Sequence, residues 1–353
     1  MSRVVAFGEI MARLAAPGHL RFQQAMPGNL EVTFAGAEAN VAMSLAHLGG
    51  NASFVSALPD HALGDACLAS LRAVGVDTRH ILRSELGRLG LYFLETGANQ
   101  RAGQVIYDRE HSSVALVSPE AYDWESIFDG AEWFVISGIT PAISTNAAAV
   151  AQRAMSEASQ RNVKVACDLN FRSKLWKWEP GLSTKELATR TMLGLMPFVD
   201  LLIGGREDAV QMLGMDIGES SPEEVAEQIA AKYPKLLGVA MTLREGVSAS
   251  HNNWGGLLYD TALGRAFRAP LKDGVYEPYQ IPDMVDRLGG GDAFTAGLLH
   301  ALTSTPVNGP QEQVAFAVAA SCLAHSVQGD FNFTTREEVE NLMAGDASGR
   351  VKR

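Results

Sequence analysis

Two rhythms of apolar and polar positions run along this chain. RVVAFGEI is an almost unbroken apolar run ending at Gly8, the pattern of a strand buried on both faces. Residues 12–35 lose that character, with Pro17, Gly18, Pro27 and Gly28 set among polar positions. EANVAMSLAHLGG then carries Val41, Leu45 and Leu48 at helical spacing and stops at Gly49-Gly50, a C-terminal signal. ASFVSALP reads as a short strand, and LGDACLASLRAVG as a helix ending at Gly75. Between Gly87 and Val117 the rhythm changes: LGLYFLETG and GQVIYDRE are short, β-rich and separated by ANQRA, as in a hairpin or meander.

Beyond Val117 the alternation returns. EWFVISG, VKVACDLN, VDLLIGG and LLGVAMTL are predicted strands. TNAAAVAQRAMSEASQRN, REDAVQML and PEEVAEQIAAKY are predicted helices between them. VSASHNNWGGLLY is predicted to form a hairpin, and the remainder to be helical over 292–303, 311–326 and 335–343. Strands alternating with helices predict an α/β fold: a doubly wound, mostly parallel sheet with helices on both faces. The interruptions at 12–35 and 87–112 would meet as a small β-sheet projecting from a core made of 1–11, 36–86 and 113–353. Ligands in such folds bind beyond the carboxyl ends of the strands, so residues just after strands are the ones to examine.

Composition narrows the partners. The 353 residues are 47% hydrophobic and carry a net charge of −11. An acidic surface argues against nucleic acid or an anionic membrane as the main partner. Three scattered cysteines, Cys67, Cys167 and Cys322, give neither a disulfide framework nor metal-ligand spacing, which predicts a reducing cytoplasm. The N-terminus lacks the apolar segment of a signal peptide, and no apolar run reaches spanning length. The P-loop, zincin, α/β-hydrolase and dinucleotide fingerprints are all absent from the sequence.

The chemistry concentrates in DRLGGGDAFTAGLL. Gly289, Gly290 and Gly291 run into Asp292 at the start of a predicted helix. Free N–H groups and partial positive charge at a helix N-terminus, unobstructed by Cβ atoms, make a cradle for a phosphate or oxyanion. Asp292 beside an anion site is suited to accept the proton of an attacking hydroxyl. A glycine turn with a capping aspartate is the other reading, and the triplet alone does not choose between them.

DRLGGGDAFTAG resembles the signature of the ribokinase/PfkB family of sugar kinases, usually Asp-Thr-x-Gly-Ala-Gly-Asp-x-Phe. AGAEANVAMSLAHLG resembles the family's other signature, a glycine-rich turn before Asn-x-Ala, and the two occur in the family's order. The resemblance covers nearly the whole chain. It implies that Asp292 is the catalytic base, that Gly289–Gly291 form the anion hole, that Gly36 and Asn40 line the sugar site, and that the small sheet is a lid and dimer contact. It also implies ATP and Mg2+ as cofactors, with a monovalent cation left open.

Within the family, FGEIMARLAAPGHLRFQQA, GLYFLETGANQRAGQVIYDREHSS and DLNFRSKLW are most similar to kinases of 2-keto-3-deoxygluconate and related keto acids. Such substrates carry a carboxylate, which arginine pairs with well. Tyr92, Tyr107, Arg109 and Arg172 therefore form a candidate clamp. Glu9 either binds a substrate hydroxyl or pairs structurally. AMTLREG resembles the family's segment near the nucleotide, which makes Thr242 and Arg244 candidates, with Arg244 standing where glycine is common. GDFNF makes Asn332 a candidate adenine contact or a helix cap.

Two departures stand out. Gly205 and Asp208 occupy the family's Asn-x-x-Glu positions, so the motif's asparagine is missing, and Arg287 replaces threonine beside Asp286. Asp208 or Glu207 is left to place magnesium. Asp168 and Asn170 either order Arg172, organise phosphate-bound water and magnesium, or are structural. The expected activity is ATP-dependent phosphorylation of a sugar acid. Another sugar substrate, such as fructose, and a non-catalytic sugar- or nucleotide-sensing protein are the alternatives.

Overall fold

The computed structural model describes residues 2–246, 248–304 and 309–346. The tail 347–353, assigned above to the core, and position 247, where the predicted hairpin begins, lie outside the described residues. The strands are β1 (Arg3–Phe7), β2 (Met11–Ala15), β3 (Glu31–Ala35), β4 (Asn51–Pro59), β5 (Ile81–Ser84), β6 (Gly90–Glu95) and β7 (Gln104–Asp108). They continue with β8 (Ala131–Ser137), β9 (Lys164–Asp168), β10 (Leu201–Ile203), β11 (Gly238–Gly246), β12 (Asn252–Asp260) and β13 (Arg265–Ala269).

The large sheet runs β13-β12-β11-β10-β9-β8-β1-β4-β5. It is parallel from β5 to β11 and turns antiparallel at β12 and β13. The chain leaves β1 toward β4 and β5, then returns to place β8 on the other side of β1. That reversal opens a crevice at the carboxyl ends of β1 and β8, where open α/β sheets bind ligands.

Both faces of β1 are buried, as its unbroken apolar run predicts. Val5 and Phe7 pack into one core with Val150 and Met155 of the helix Thr145–Gln160. Val4 and Ala6 pack into the other with Val41 and Leu45 of the helix Ala37–His47 and Leu298 of the helix Gly290–Thr303. The helix Thr184–Leu195, absent from the sequence reading, is closed by a capping box: Ser183 accepts from Glu186 N–H, and Glu186 accepts in return from Ser183 N–H.

The small sheet has the order β3-β2-β6-β7. It brings together strands from the two β-rich interruptions. Arg13 of β2 is in register with Tyr92 of β6, and Tyr92 with Tyr107 of β7.

The predicted hairpin within 247–259 is a different object. β12 is one strand that pairs with β11 from Gly238↔Asp260 to Gly246↔Asn252. Gly255 and Gly256 look like turn residues but sit inside that strand. A Cβ on Gly255 would lie 2.2 Å from the Tyr276 hydroxyl, and one on Gly256 would lie 2.7 Å from Val318. Close packing, rather than a turn, explains the pair.

Candidate active site

The helix Gly290–Thr303 starts two residues earlier than the sequence pattern indicates, with Gly289 as its N-cap. Gly289 is left-handed, with φ of 80°, and a Cβ there would lie 2.1 Å from the main-chain oxygen of Asp330. A Cβ on Gly290 would lie 2.6 Å from the His325 ring. Apart from its chain neighbours and its own helix backbone, nothing lies within 4 Å of the Cβ position of Gly291. The first two glycines are therefore required by the protein's own packing, and the third faces open space at a helix N-terminus.

Asp292 is buried one residue further on. Asn40 Nδ2 donates to its Oδ2 at 2.6 Å, while Asn40 Oδ1 accepts from Gly36 N–H at 3.1 Å. Asn40 thus ties the base candidate to the turn before the helix Ala37–His47. Burial pushes the Asp292 carboxyl up to about 7; Asp330 and Glu38 add to the rise, and the Asn40 hydrogen bond and Arg172 oppose it. A carboxylate held near neutrality is suited to take and release a proton at ordinary pH.

The facing wall is the small sheet. Glu9, Tyr92, Tyr107, Arg109 and Arg172 line the same cleft as Asn40, Gly36, Gly289 and Asp292. Their engagements differ. Tyr92 donates its hydroxyl to Asp330 at 2.6 Å. Arg109 is buried in an ion pair with Glu9, so its charge is already matched. Glu9 Oε1 and Arg109 Nε remain buried without hydrogen-bond partners, as polar atoms that a polyol would satisfy. Arg172 is exposed, and its Nη1 donates to the neighbouring carbonyl of Phe171 at 3.1 Å. Among the described residues it has no ion pair, which leaves it as the cation available to an anionic ligand.

Because the Glu9–Arg109 pair is buried, Arg109→Ala is expected to destabilise the protein by about 3–5 kcal/mol by stranding Glu9. Glu9→Gln combined with Arg109→Met should recover most of that loss in urea unfolding.

Thr242 and Arg244 lie on β11, outside the cleft lining. Arg244 Nε donates to Asn252 Oδ1 at 2.6 Å. Asn332 is buried, donating to Ser44 Oγ and accepting from Thr334 N–H, so an adenine contact would require it to give up these bonds.

Asp208 accepts from the N–H groups of Phe171 and Gly205, as the cap of the helix Arg206–Met212. Among the described residues no group of three or more His, Cys, Asp or Glu is arranged to hold a metal. The carboxyl of Asp168, at the end of β9, is raised well above its ordinary range by burial, then by Asp292 and Asp208.

Three participants escaped the sequence reading. Glu38 is buried, and its Oε1 accepts from Ser137 N–H, Ser137 Oγ and Thr140 Oγ1 at 2.7–2.8 Å. Burial raises its pKa against those bonds. Its place in the first turn of a helix was the available signal. Asp330 and Arg13 gave none, because they meet across 317 positions.

A sequence model described as the pfkB family carbohydrate kinases matches residues 1–335. A 2-dehydro-3-deoxygalactonokinase of Haloferax volcanii is 31% identical over 349 residues, covering 99% of this chain and 98% of that protein. The crystal structure of 2-dehydro-3-deoxygluconokinase from Thermotoga maritima superposes with a TM-score of 0.87 at 40% identity, covering 98% of this chain and 100% of the other. A PfkB family carbohydrate kinase from Listeria grayi superposes with a TM-score of 0.87 at 33% identity, covering 97% and 99%.

Proposed function

We propose, since this chain belongs to the pfkB family of carbohydrate kinases, that its acceptor is a 2-keto-3-deoxy sugar acid, foremost 2-keto-3-deoxygluconate, phosphorylated at the 6-hydroxyl. The observation that carries this reading is the pairing of a proton acceptor with an uncommitted cation in one cleft. Asp292 is held by Asn40, and Arg172, which makes no ion pair among the described residues, lines the same cleft. The names of the Haloferax and Thermotoga relatives support the same substrate class, and the galactonate epimer would use the same residues.

The chain's own groups divide the work. Arg172 pairs with the substrate carboxylate and orients the sugar, with Tyr107 lining the same cleft. Glu9 and Arg109 offer their unpartnered buried atoms to substrate hydroxyls. Asp292 takes the proton of the terminal hydroxyl as its oxygen attacks phosphorus. The N–H groups at Gly289–Gly291 receive the negative charge of the transferring group. Thr242 and Arg244 take the nucleotide side. Kinases of this family use ATP with Mg2+, and what a bound magnesium ion supplies is charge neutralisation at the phosphates. Asp168 would hold it, since a divalent cation relieves the crowding of acids there. Closure of the small sheet would keep water from competing with the sugar. The open edges of β3 and β7, with Val32 and Ile106 exposed, favour a homodimer through that sheet. The free cysteines fit a reducing compartment.

Arg172→Ala tests the substrate assignment by calorimetry. Affinity for 2-keto-3-deoxygluconate should fall by about tenfold to a hundredfold, with Mg-ATP affinity nearly unchanged. Equal loss of both affinities would remove Arg172 from the carboxylate site. A second expectation follows from the Asp292 carboxyl near 7. The base works deprotonated, so kcat/KM should rise with pH up to about 7 and level off above it. Arg172 opposes that rise in pKa, so Arg172→Ala should move the inflection to higher pH. An inflection near the ordinary aspartate range would contradict the assignment of Asp292.

A further inference from the structure

Arg13 sits in the middle of β2, its side chain 3% exposed, between two carboxylates. Its Nη2 donates to Asp286 Oδ2 at 2.5 Å, and its Nη1 to Asp330 Oδ1 at 2.6 Å. Nothing in the reaction described above uses this residue.

We propose that Arg13 is a positioning residue for phosphoryl transfer: from the small sheet, acting through Asp286 and Asp330, it fixes the glycine turn that faces the transferred phosphate. The proposal rests on the reading of Asp292 and its turn as the transfer site.

Asp286 organises the entry to the turn. Its Oδ1 accepts from the N–H groups of Arg287 and Leu288 at 2.8 and 3.1 Å, and its Oδ2 from Gly329 N–H at 3.1 Å. One carboxylate therefore joins segment 286–288 to segment 329–330. Asp330 builds the wall behind the turn, because its main-chain oxygen occupies the place of a Gly289 side chain. Two carboxylates this close repel each other unless a cation lies between them, and the planar fork of arginine bonds both at once. Burial alone would lower the Arg13 pKa, but Asp330 and Asp286 outweigh it and raise it, so the charge is permanent.

The donors come from the small sheet, not the core. Arg13 on β2 and its register partner Tyr92 on β6 both bond Asp330 Oδ1. The next residue in that cross-strand row, Tyr107, lines the sugar cleft. One face of one sheet thus touches both the sugar cleft and the supports of the phosphate turn. Ordering of this sheet by the sugar is transmitted to the turn through rigid, bidentate contacts, which gives the two substrates a coupling free energy.

A purely structural ion pair would cost stability and leave the chemistry of the folded protein intact, so the test separates the two. In the full-length protein, Arg13→Gln should lower kcat by about tenfold to a hundredfold at saturating substrates, the scale of a displaced reacting group. Binding of Mg-AMPPNP alone should stay within about threefold of wild type. The tightening of that binding by 2-keto-3-deoxygluconate in the wild type should be lost. Arg13→Lys, which keeps the charge without the fork, should recover part of kcat. If Arg13→Gln does not fold, Asp330→Asn carries the same readouts.

A kcat within about threefold of wild type, or undiminished coupling between nucleotide and sugar, would overturn the proposal whatever happens to the melting temperature. Asp292→Asn measured in parallel keeps the premise separate. Its full activity would remove the transfer-site reading, whereas its inactivity beside an active Arg13→Gln would remove this proposal alone.

Discussion

Asp292→Asn should lower kcat by about a thousandfold while the protein stays folded and still binds Mg-AMPPNP. The amide keeps the carbonyl oxygen that receives the Asn40 hydrogen bond, so the geometry at 2.6 Å is retained. What disappears is the ability to take a proton. The substitution also removes a carboxyl whose charged form burial disfavours, with Asp330 and Glu38 adding to the penalty. The thermal midpoint should therefore hold or rise. This combination, loss of turnover without loss of stability, is the signature of a group strained for its task. A variant retaining a tenth or more of wild-type kcat would show that the hydroxyl loses its proton by another route.

The glycine turn gives the second large effect, and its three positions should behave differently. Gly289→Ala forces a side chain into a left-handed conformation at φ of 80° and onto the Asp330 main-chain oxygen. The backbone conformation alone costs about 1–2 kcal/mol, and the clash requires the main chain to move. Displaced N–H donors should then reduce kcat by about a hundredfold. Apart from its chain neighbours and its own helix backbone, Gly291→Ala meets nothing within 4 Å in the folded protein, and it replaces glycine inside a helix. Its stability should be unchanged or higher by up to about 1 kcal/mol. Its new Cβ would nevertheless stand where the phosphate approaches, so Mg-AMPPNP affinity should fall by about tenfold or more. Urea unfolding with nucleotide titration separates the two. Equal destabilisation by both substitutions would mean that Gly291 serves packing and not a ligand.

Local patterns carried much of this structure. β1 read as doubly buried because Val4 to Phe7 leave no polar position, and both faces are indeed covered. The crevice followed from alternation of strands and helices, and the glycine turn from three residues in a row. Other features depend on what lies across the fold. Gly255 and Gly256 look like a turn until Tyr276, Phe294 and Val318 are seen against them. Arg109 looked like a free cation because its partner, Glu9, lies a hundred positions away in sequence. Arg13 carried no signal, since a lone arginine in MARLA says nothing of two aspartates near the other end of the chain. The helix Thr184–Leu195 was missed although Ser183 and Glu186 have capping-box spacing, because Trp176, Trp178, Pro180 and Gly181 stand just upstream.

We propose an acidic sugar as the acceptor of this kinase and Asp292 as its base. The most direct test is the rate of ADP release from Mg-ATP with 2-keto-3-deoxygluconate, its galactonate epimer and neutral ketohexoses such as fructose. We expect kcat/KM at least about a hundredfold higher for a keto acid than for fructose, phosphate on the 6-hydroxyl, and acceptor-dependent ADP release about a thousandfold slower from Asp292→Asn. Fast turnover of neutral ketohexoses with none of the keto acids would contradict it.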